Sequence, residues 1–358
     1  MEKVTVPTEK KYEVILKRGI VQEAGKYIKT VLSPGKICLV TDSVVEKLYA
    51  SQVVASLEQE GFQTISYVFP KGENAKKIDT VKAILELMAD HNFTRSDSIV
   101  ALGGGIAGDI AGFAASIFLR GIPYVQIPTT FLAAVDSSVG GKTGVNLEGG
   151  KNLAGAFWQP SLVLCDCDTM KTLPYTIFLD GVAEVIKYGA IQDLELLEQM
   201  EQYGEALYGT THQGDILEKI VLRCITIKAE IVGLDQRDTG KRQLLNFGHT
   251  IGHAIEKCSN YQVTHGHAVA IGMYIVSRAS YQLGYSQEDC SEDLKRILLK
   301  FKFPLECNFS SKQLAEVAWK DKKRQGDRIT LVVPKKMGAC YLKELPISEL
   351  EHFIEHAF

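Results

Sequence analysis

The stretch "SIVALGGGIAGDIAGFAAS", residues 98–116, decides the fold class. A short apolar run ends in three consecutive glycines, and small apolar residues with a helical period follow them. A strand, a glycine turn and a helix in this order are typical of a βαβ unit, in which the helix packs back on a parallel sheet. The stretch therefore predicts an α/β fold.

The same glycines leave two interpretations open. Gly103, Gly105 and Gly108 satisfy GxGxxG, the spacing at which backbone amides and a helix N-terminus face a pyrophosphate. The acidic residue that this fingerprint expects about 20 positions later is absent. Asp42, at the end of another apolar run, is the alternative partner for a ribose. Without a ligand, the glycines simply allow a helix to pack closely on a sheet.

Further apolar runs of strand length occur in the first half of the chain. They are "KICLVTD" (36–42), "ISYVF" (65–69), "PYVQIP" (123–128) and "SLVLCD" (161–166). Helical patterns lie between several of them, at 44–61 and 75–91. Alternation of this kind predicts an N-terminal Rossmann-like parallel-sheet domain, which we place at residues 1–172.

After about residue 173, long amphipathic segments replace the strand patterns. They cover residues 181–204, 214–233, 242–256 and 267–284. We therefore expect a mainly α-helical C-terminal domain over residues 173–358. Two late apolar runs, at 327–334 and 338–345, predict a small hairpin or an addition to a sheet.

Composition and charge exclude several classes of protein. The 358 residues are 46% hydrophobic and 23% charged, and the formal net charge is -3, so no overall field favours nucleic acid or an anionic membrane. No run predicts a signal peptide or a membrane span, which indicates a cytoplasmic protein. The eight cysteines include no CxxC pair, so we expect reduced thiols.

Polar, glycine-rich loops follow several of the predicted strands, at 70–77, 128–146 and 149–160. Lys142 and Lys151 lie in such loops, where the backbone can approach a ligand closely. Thr129 and Thr130 either contact a ligand or cap the next helix. The segment "VGGKTGVN" lacks the GxxxxGK[ST] spacing, which excludes a P-loop nucleotide triphosphatase.

The segment "RQLLNFGHTIGHAIE", residues 242–256, carries polar residues at helical spacing among apolar ones. Arg242, Asn246, His249 and His253 follow one another at intervals of four, three and four, so we predict one helix with all four on one stripe. HExxH is absent, which argues against a metalloprotease. The two histidines are either ordinary core or surface residues or part of a metal site.

Two nearby segments offer further ligands. "GVAEVIKYG" (181–189) presents Glu184 and Lys187 among apolar neighbours, and "THGHAVAIGM" (264–273) presents His265 and His267. Two histidines with one glutamate would make an open catalytic zinc site. Six cations lie in glycine-rich loops or on apolar helices and together indicate a small substrate with several negative charges. They are Arg120, Lys142, Lys151, Lys187, Lys228 and Arg242, with Asp136 and Asp238 as acids opposite them.

The motifs closely resemble those of the 3-dehydroquinate synthase family, which belongs to the sugar phosphate cyclases. The resemblance runs in order through "GGGIAGDIAGFAAS", "RGIPYVQIPTTFLAAVDSSVGGKTGVN", "GKNLAGAFWQP", "GVAEVIKYG", "NFGHTIGHAIE" and "THGHAVAIGM", from about residue 70 to 275. It implies an NAD-binding Rossmann-like domain and a helical metal- and substrate-binding domain. The residue after "HG", often acidic in the family, is His267 here.

The resemblance also implies an activity and a set of site residues. The activity is conversion of 3-deoxy-D-arabino-heptulosonate 7-phosphate to 3-dehydroquinate and phosphate in the shikimate pathway, by transient oxidation with NAD, elimination of phosphate, reduction and aldol closure. The metal is usually zinc, with cobalt as the alternative, and its ligands fall on Glu184, His249 and His265. A homodimer is also implied.

The remaining positions divide into two groups. The substrate and catalytic positions are Arg120, Asp136, Lys142, Lys151, Asn152, Lys187, Lys228, Arg242, Asn246, His253 and Lys322. The NAD positions are Asp42, Gly72, Glu73, Lys76, Gly105, Gly108, Asp109, Thr129, Thr130, Lys142, Lys151, Thr169 and Thr172. Other cyclases, of the 2-deoxy-scyllo-inosose or valiolone type, and a metal-dependent NAD alcohol dehydrogenase are the competing hypotheses.

Overall fold

The computed structural model describes residues 1–209, 215–322 and 326–358, and only the backbone of residues 320–322. The chain forms two compact units, Met1–Leu173 with Gly214–Arg237, and Pro174–Gln213 with Asp238–Phe358. The division predicted at 172/173 falls where the chain first leaves the first unit. It assigns 214–237 to the second part, whereas that segment packs with the first.

A seven-stranded sheet forms the centre of the first unit. Its strands are β1 (Glu2–Val6), β2 (Tyr12–Leu16), β3 (Lys36–Asp42), β4 (Gln63–Phe69), β5 (Ser98–Gly103), β6 (Tyr124–Pro128) and β9 (Leu162–Cys165). Their order is β1-β2-β9-β6-β5-β3-β4, and every pair is parallel except β1 with β2. The predicted α/β class is confirmed.

Helices cover both faces of this sheet. They are α1 (Ala24–Ile28), α2 (Ser51–Gln59), α3 (Ile78–Asp90) and α4 (Gly105–Ile117), and one long helix, α8 (Ile216–Leu234), returns from later in the chain. Strand β5 is buried along its whole length, because apolar cores lie on both sides of it. Helix α8 packs against the N-terminal residues of this unit, because Gly233 has no side chain and leaves space for Pro7.

The sheet brings the ends of β3, β5 and β6 to one edge. Parallel strands share a carboxyl edge, and Asp42, Gly103 and Thr129 lie at or just after these ends. The order of the strands reverses between β3 and β5, since β4 lies on one side of β3 and β5, β6 and β9 on the other. Ligands of open α/β sheets bind at such a switch point.

The second unit is mainly helical, as predicted. Its helices are α5 (Tyr175–Gln192), α6 (Leu194–Tyr203), α7 (Ala206–Gly209), α9 (His249–Cys258), α10 (His265–Gln282), α11 (Cys290–Lys300), α12 (Ser311–Lys322) and α13 (Leu350–Glu355). The predicted hairpin forms from β10 (Arg328–Lys336) and β11 (Ala339–Pro346). The segment 181–204 is two helices, because Asp193 ends α5 and its carboxylate accepts the Leu196 N–H to cap α6.

Shorter elements complete the described chain. The hairpin of β7 (Lys142–Leu147) and β8 (Gly150–Phe157) stands apart from the large sheet. Single 3₁₀ or π-helical turns are Ile20–Glu23, Glu46–Ala50, Glu73–Ala75, Phe118–Arg120, Ala133–Ser137, Cys167–Thr172, Lys241–Asn246 and Ile347–Glu349. All eight cysteines lie within the described ranges and are free. None of the described helices is long and apolar enough to cross a membrane.

The prediction of one helix over 242–256 is wrong. Arg242 and Asn246 lie in the 3₁₀ turn, the backbone leaves the helical region at Phe247, whose ψ is 124°, and Gly248 has a left-handed φ of 77°. Helix α9 therefore begins at His249, and the four polar residues do not share one helical stripe. Gly248 also lies against α10, where a Cβ would be 2.7 Å from the Val269 carbonyl oxygen.

Candidate active site

Three helices of the second unit bring a glutamate and two histidines together. Glu184 lies in the middle of α5, whereas His249 and His265 are the first residues of α9 and α10. Glu184 Oε1 is 3.4 Å from His249 Nε2 and 3.3 Å from His265 Nε2. Each side chain offers one ligand atom, and all three atoms lie within 4.8 Å of one another.

This cluster has the donor set of a catalytic metal site. One carboxylate and two imidazoles suit zinc and leave positions for substrate oxygens. Glu184 is completely buried, and among the described residues neither of its oxygens has a hydrogen bond of regular geometry, although Lys187 forms an ion pair with it. A buried carboxylate with such contacts fits a bound divalent cation.

The backbone fixes which nitrogen of His249 is available. Its Nδ1 lies 3.1 Å from the Phe247 carbonyl oxygen, which can only accept, so Nδ1 carries the proton and Nε2 turns its lone pair toward Glu184. Burial, helped by the nearby Lys187 and His265, holds the pKa of His249 well below its usual range. The lowered pKa favours the neutral ring, the form in which histidine binds a metal.

A second carboxylate lies behind His265. Glu256, buried in α9, places Oε2 3.4 Å from His265 Nδ1, on the side of the ring away from Glu184. Burial lowers the pKa of His265, but the two glutamates more than reverse this effect and raise that pKa to about 10. Glu256 was not among the predicted residues, although its spacing of three from His253 places it on the same face of α9.

The structure distinguishes His265 from His267. His267 Nδ1 lies 2.7 Å from the Thr264 hydroxyl and 3.8 Å from Asp180 Oδ1, and its ring packs on Phe303. Asp180 also accepts the Thr264 hydroxyl and the Gly266 N–H, which fixes the start of α10. His265 therefore points to Glu184 and His267 away from it.

Three other predicted residues of the second unit lie in α9 or in the turn before it. The His253 ring lies 5.5 Å from that of His249 and 5.9 Å from that of His265, between centroids. Arg242 is buried in the turn that leads to α9, and Asn246 ends that turn. The Lys322 side chain lies outside the described residues.

In the first unit, the predicted cofactor residues gather at the carboxyl edge of the sheet. Gly105 begins α4, where a Cβ would lie 2.9 Å from the Ser137 hydroxyl, and within the described chain no side chain caps this helix. The Asp42 carboxylate accepts hydrogen bonds from the backbone N–H groups of Val44 and Val45, just after β3. The Thr130 hydroxyl oxygen accepts one from the Ala133 N–H. A helix N-terminus without a side-chain cap fits an anionic cofactor, because its first N–H groups lack partners within the helix.

Two other predicted glycines have different surroundings. A Cβ at Gly108 would lie 2.5 Å from Gln126 Oε1, so this glycine lets α4 pack on β6. Gly72, with a φ of 102°, turns the chain before Glu73. In the 3₁₀ turn Cys167–Thr172, the Thr172 hydroxyl lies 2.6 Å from the Tyr49 hydroxyl.

A charged network connects the segment 72–77 to α4. Lys76, which is buried, places Nζ 2.5 Å from Asp109 Oδ2 and donates to Asn152 Oδ1 at 2.5 Å. Burial raises the pKa of Asp109, and Lys76 opposes that effect. Lys151 Nζ lies 3.7 Å from Glu73 Oε1. The structure thus connects these five residues, which come from three separate segments, through ion pairs and hydrogen bonds.

The predicted substrate residues of this unit form two groups. Lys142, Lys151 and Asn152 lie in the β7–β8 hairpin, whereas Lys228 of α8 donates to the carbonyl oxygen of Asp136 at 2.7 Å and to its carboxylate. Arg120 belongs to neither element, because it ends the 3₁₀ turn that follows α4, about 20 Å along that helix from Gly105 at 1.5 Å per residue.

Comparison with known proteins assigns this arrangement to a family. Residues 66–180 match the family model described as 3-dehydroquinate synthase N-terminal, and residues 181–324 match that described as 3-dehydroquinate synthase C-terminal. A 3-dehydroquinate synthase of Clostridium acetobutylicum is 41% identical over 345 residues, 96% of each chain. The chain belongs to the 3-dehydroquinate synthase family. Its activity is therefore that of a carbon–oxygen lyase that releases phosphate.

Solved structures of other cyclases share the fold. The 2-epi-5-epi-valiolone synthase ValA of Streptomyces hygroscopicus subsp. jinggangensis 5008, with bound NAD+ and Zn2+, has a TM-score of 0.89 at 25% identity and covers 99% of this chain and 98% of its own. A 2-deoxy-scyllo-inosose synthase complexed with carbaglucose-6-phosphate, NAD+ and Co2+ also has a TM-score of 0.89, at 24% identity over 100% of both chains. The rival cyclases are thus similar in fold but more distant in sequence.

Proposed function

We propose that this protein converts 3-deoxy-D-arabino-heptulosonate 7-phosphate to 3-dehydroquinate and phosphate, with NAD and a divalent metal as cofactors. The observation that carries the proposal is the meeting of Glu184, His249 and His265 from three helices, with all ligand atoms within 4.8 Å. Membership of the 3-dehydroquinate synthase family supports the choice of substrate, since the curated relatives carry that activity in their names.

The two cofactors have separate candidate sites. Glu184, His249 and His265 would hold zinc or cobalt, and the carboxyl edge of the sheet, with Asp42 and the start of α4 at Gly105, would hold NAD. When bound, NAD takes and returns a hydride, and the metal polarises the hydroxyl group that is oxidised. The NAD and metal in the valiolone synthase structure support this pairing.

The protein's own residues orient the metal ligands. Phe247 fixes the tautomer of His249 through its carbonyl oxygen, and Glu256 would hold the ring of His265 through Nδ1. Lys187, which the resemblance assigns to the substrate, pairs with Glu184 and balances its buried charge. His253, close to both histidine rings, would hydrogen-bond near the transferred protons.

The phosphate and carboxylate of the substrate need cations. Lys228, whose ammonium group is held by Asp136, would restrain the phosphate together with Lys142. Arg242 would hold the substrate carboxylate, because a buried guanidinium can bind two oxygens at once. An oxygen of the restrained phosphate would take the proton as the group leaves. The resemblance also implies a homodimer, which light scattering tests.

The test is phosphate release from this substrate with substoichiometric NAD, measured with and without a chelator while absorbance at 340 nm is followed. We expect many phosphates per NAD, no net NADH, and loss of activity on chelation. Folded, metal-loaded protein that releases no phosphate from this substrate would contradict the proposal. Hexose and other heptulose phosphates would then test the rival cyclases, and accumulating NADH would indicate a dehydrogenase.

A further inference from the structure

Asn146 lies where the β7–β8 hairpin is irregular. The ladder between the two strands changes register between Val145 and Leu147, and the Asn146 N–H donates to the Lys76 carbonyl oxygen instead, at 2.9 Å. An isolated parallel bridge joins Asn146 to Lys77. An irregularity of this kind redirects one residue of a strand, and here it directs Asn146 to the segment 72–77, which we call the cofactor loop.

The side chain of Asn146 joins the same two segments. Its Nδ2 donates to Glu73 Oε1 at 2.7 Å, and its Oδ1 accepts the Asn152 N–H at 2.9 Å. A carboxylate accepts only and a backbone N–H donates only, so a single orientation of the amide satisfies both partners. An aspartate of the same size lacks the donor and would face Glu73 with like charge.

The two partners of Asn146 are themselves connected. Asn152, with a left-handed φ of 54°, accepts the Lys76 ammonium at 2.5 Å, and Lys76 pairs with Asp109 of α4. Asn146 thus links Glu73 and Asn152, and through Asn152 it reaches Lys76 and Asp109. The backbone N–H, the side-chain Nδ2 and the side-chain Oδ1 of Asn146 all form hydrogen bonds within the protein, and these bonds hold the neighbouring residues in place.

We propose that Asn146 is a positioning residue that holds the cofactor loop and the hairpin in one arrangement, so that groups assigned to NAD and groups assigned to the substrate are ordered together. The inference rests on the proposed function, because that function gives Glu73, Lys76 and Asp109 to NAD and Asn152 to the substrate. Asn146 acts through these residues, and its backbone N–H and its side chain are bonded to Lys76, Glu73 and Asn152.

The test is Asn146→Asp in the full-length, zinc-loaded protein, with Glu148→Ala, an exposed residue at the tip of the same hairpin, as the matched control. We expect the NAD dissociation constant and the substrate KM each to rise about tenfold, because a hydrogen bond to a charged group is lost. The fall in kcat should be smaller than these tenfold changes. The control should match wild type, and zinc should raise the melting temperature of all three proteins equally.

A double-mutant cycle gives a second readout. In the Glu73→Gln background the like charge is absent and a donor faces the new carboxylate, so Asn146→Asp should weaken NAD binding less than it does alone. An unchanged NAD dissociation constant and KM in folded Asn146→Asp, or equal losses in both backgrounds, would overturn the inference. Failure of wild type to bind NAD or release phosphate would instead contradict the proposed function.

Discussion

The buried pair of Glu184 and Lys187 makes a quantitative prediction about stability without metal. Glu184 is 0% exposed and Lys187 1%, and His265 also faces the carboxylate. Glu184→Gln keeps the shape of the side chain and removes its charge, so the buried Lys187 ammonium loses the carboxylate that pairs with it. Removal of one partner of a buried pair costs about 3–5 kcal/mol. At a slope of about 2 kcal/mol per molar urea, the unfolding midpoint should fall by roughly 2 M.

Urea unfolding followed by circular dichroism, with a chelator or with zinc, measures this effect. The double variant Glu184→Gln with Lys187→Met should regain most of the loss, because both charges of the buried pair are then removed together. Zinc at a thousand times its dissociation constant should stabilise wild type by about 4.1 kcal/mol, and neither variant by as much. A chelated Glu184→Gln protein as stable as wild type, or a double variant no more stable than the single one, would contradict this expectation.

Three further predictions concern individual residues and the metal. Lys228→Met, which removes the ammonium held by Asp136, should lower the rate of phosphate release by about a hundredfold or more; near-normal turnover would place Lys228 outside the site. His267→Asn should retain zinc by elemental analysis, whereas His265→Asn should lose it; the reverse pattern would exchange their roles. Removal of zinc by a chelator should lower the melting temperature, and zinc should restore it; an unchanged melting temperature would argue against a folded-state metal site.

The central strands could be predicted because a strand buried on both faces is continuously apolar. The run "SIVAL" covers all of β5 except its last residue, and "KICLVTD" coincides with β3. Strands β1 and β2 were not predicted. β1 is exposed along most of its length and gives a weak apolar signal, whereas β2 is mostly buried but only five residues long. The β7–β8 hairpin was interpreted as loops because of its glycines. Gly144 and Gly155 face each other there, and a Cβ at Gly155 would lie 2.1 Å from the Thr143 carbonyl oxygen.

The candidate site was predictable as a set of residue types and less so as a geometry. Helical spacing indicated His249 and His253, but it could not show that Gly248 turns left-handed and separates Arg242 from their helix. Spacing also could not choose between His265 and His267, because the choice depends on contacts of α10 with α5. There Gly266 packs directly on the Asp180 backbone, and a Cβ at Gly266 would collide with it.

The return of α8 to the first unit has a consequence for synthesis of the chain. Residues 174–213 separate α8 from the rest of that unit, so a ribosome must translate nearly to Arg237 before the unit can be completed. Until then the partners of Leu217, Ile220 and Val221, which α8 buries, stay exposed to water. A fragment cut at the sequence-based boundary of residue 172 would lack that helix permanently, and adding residues 215–237 through a linker should improve its solubility.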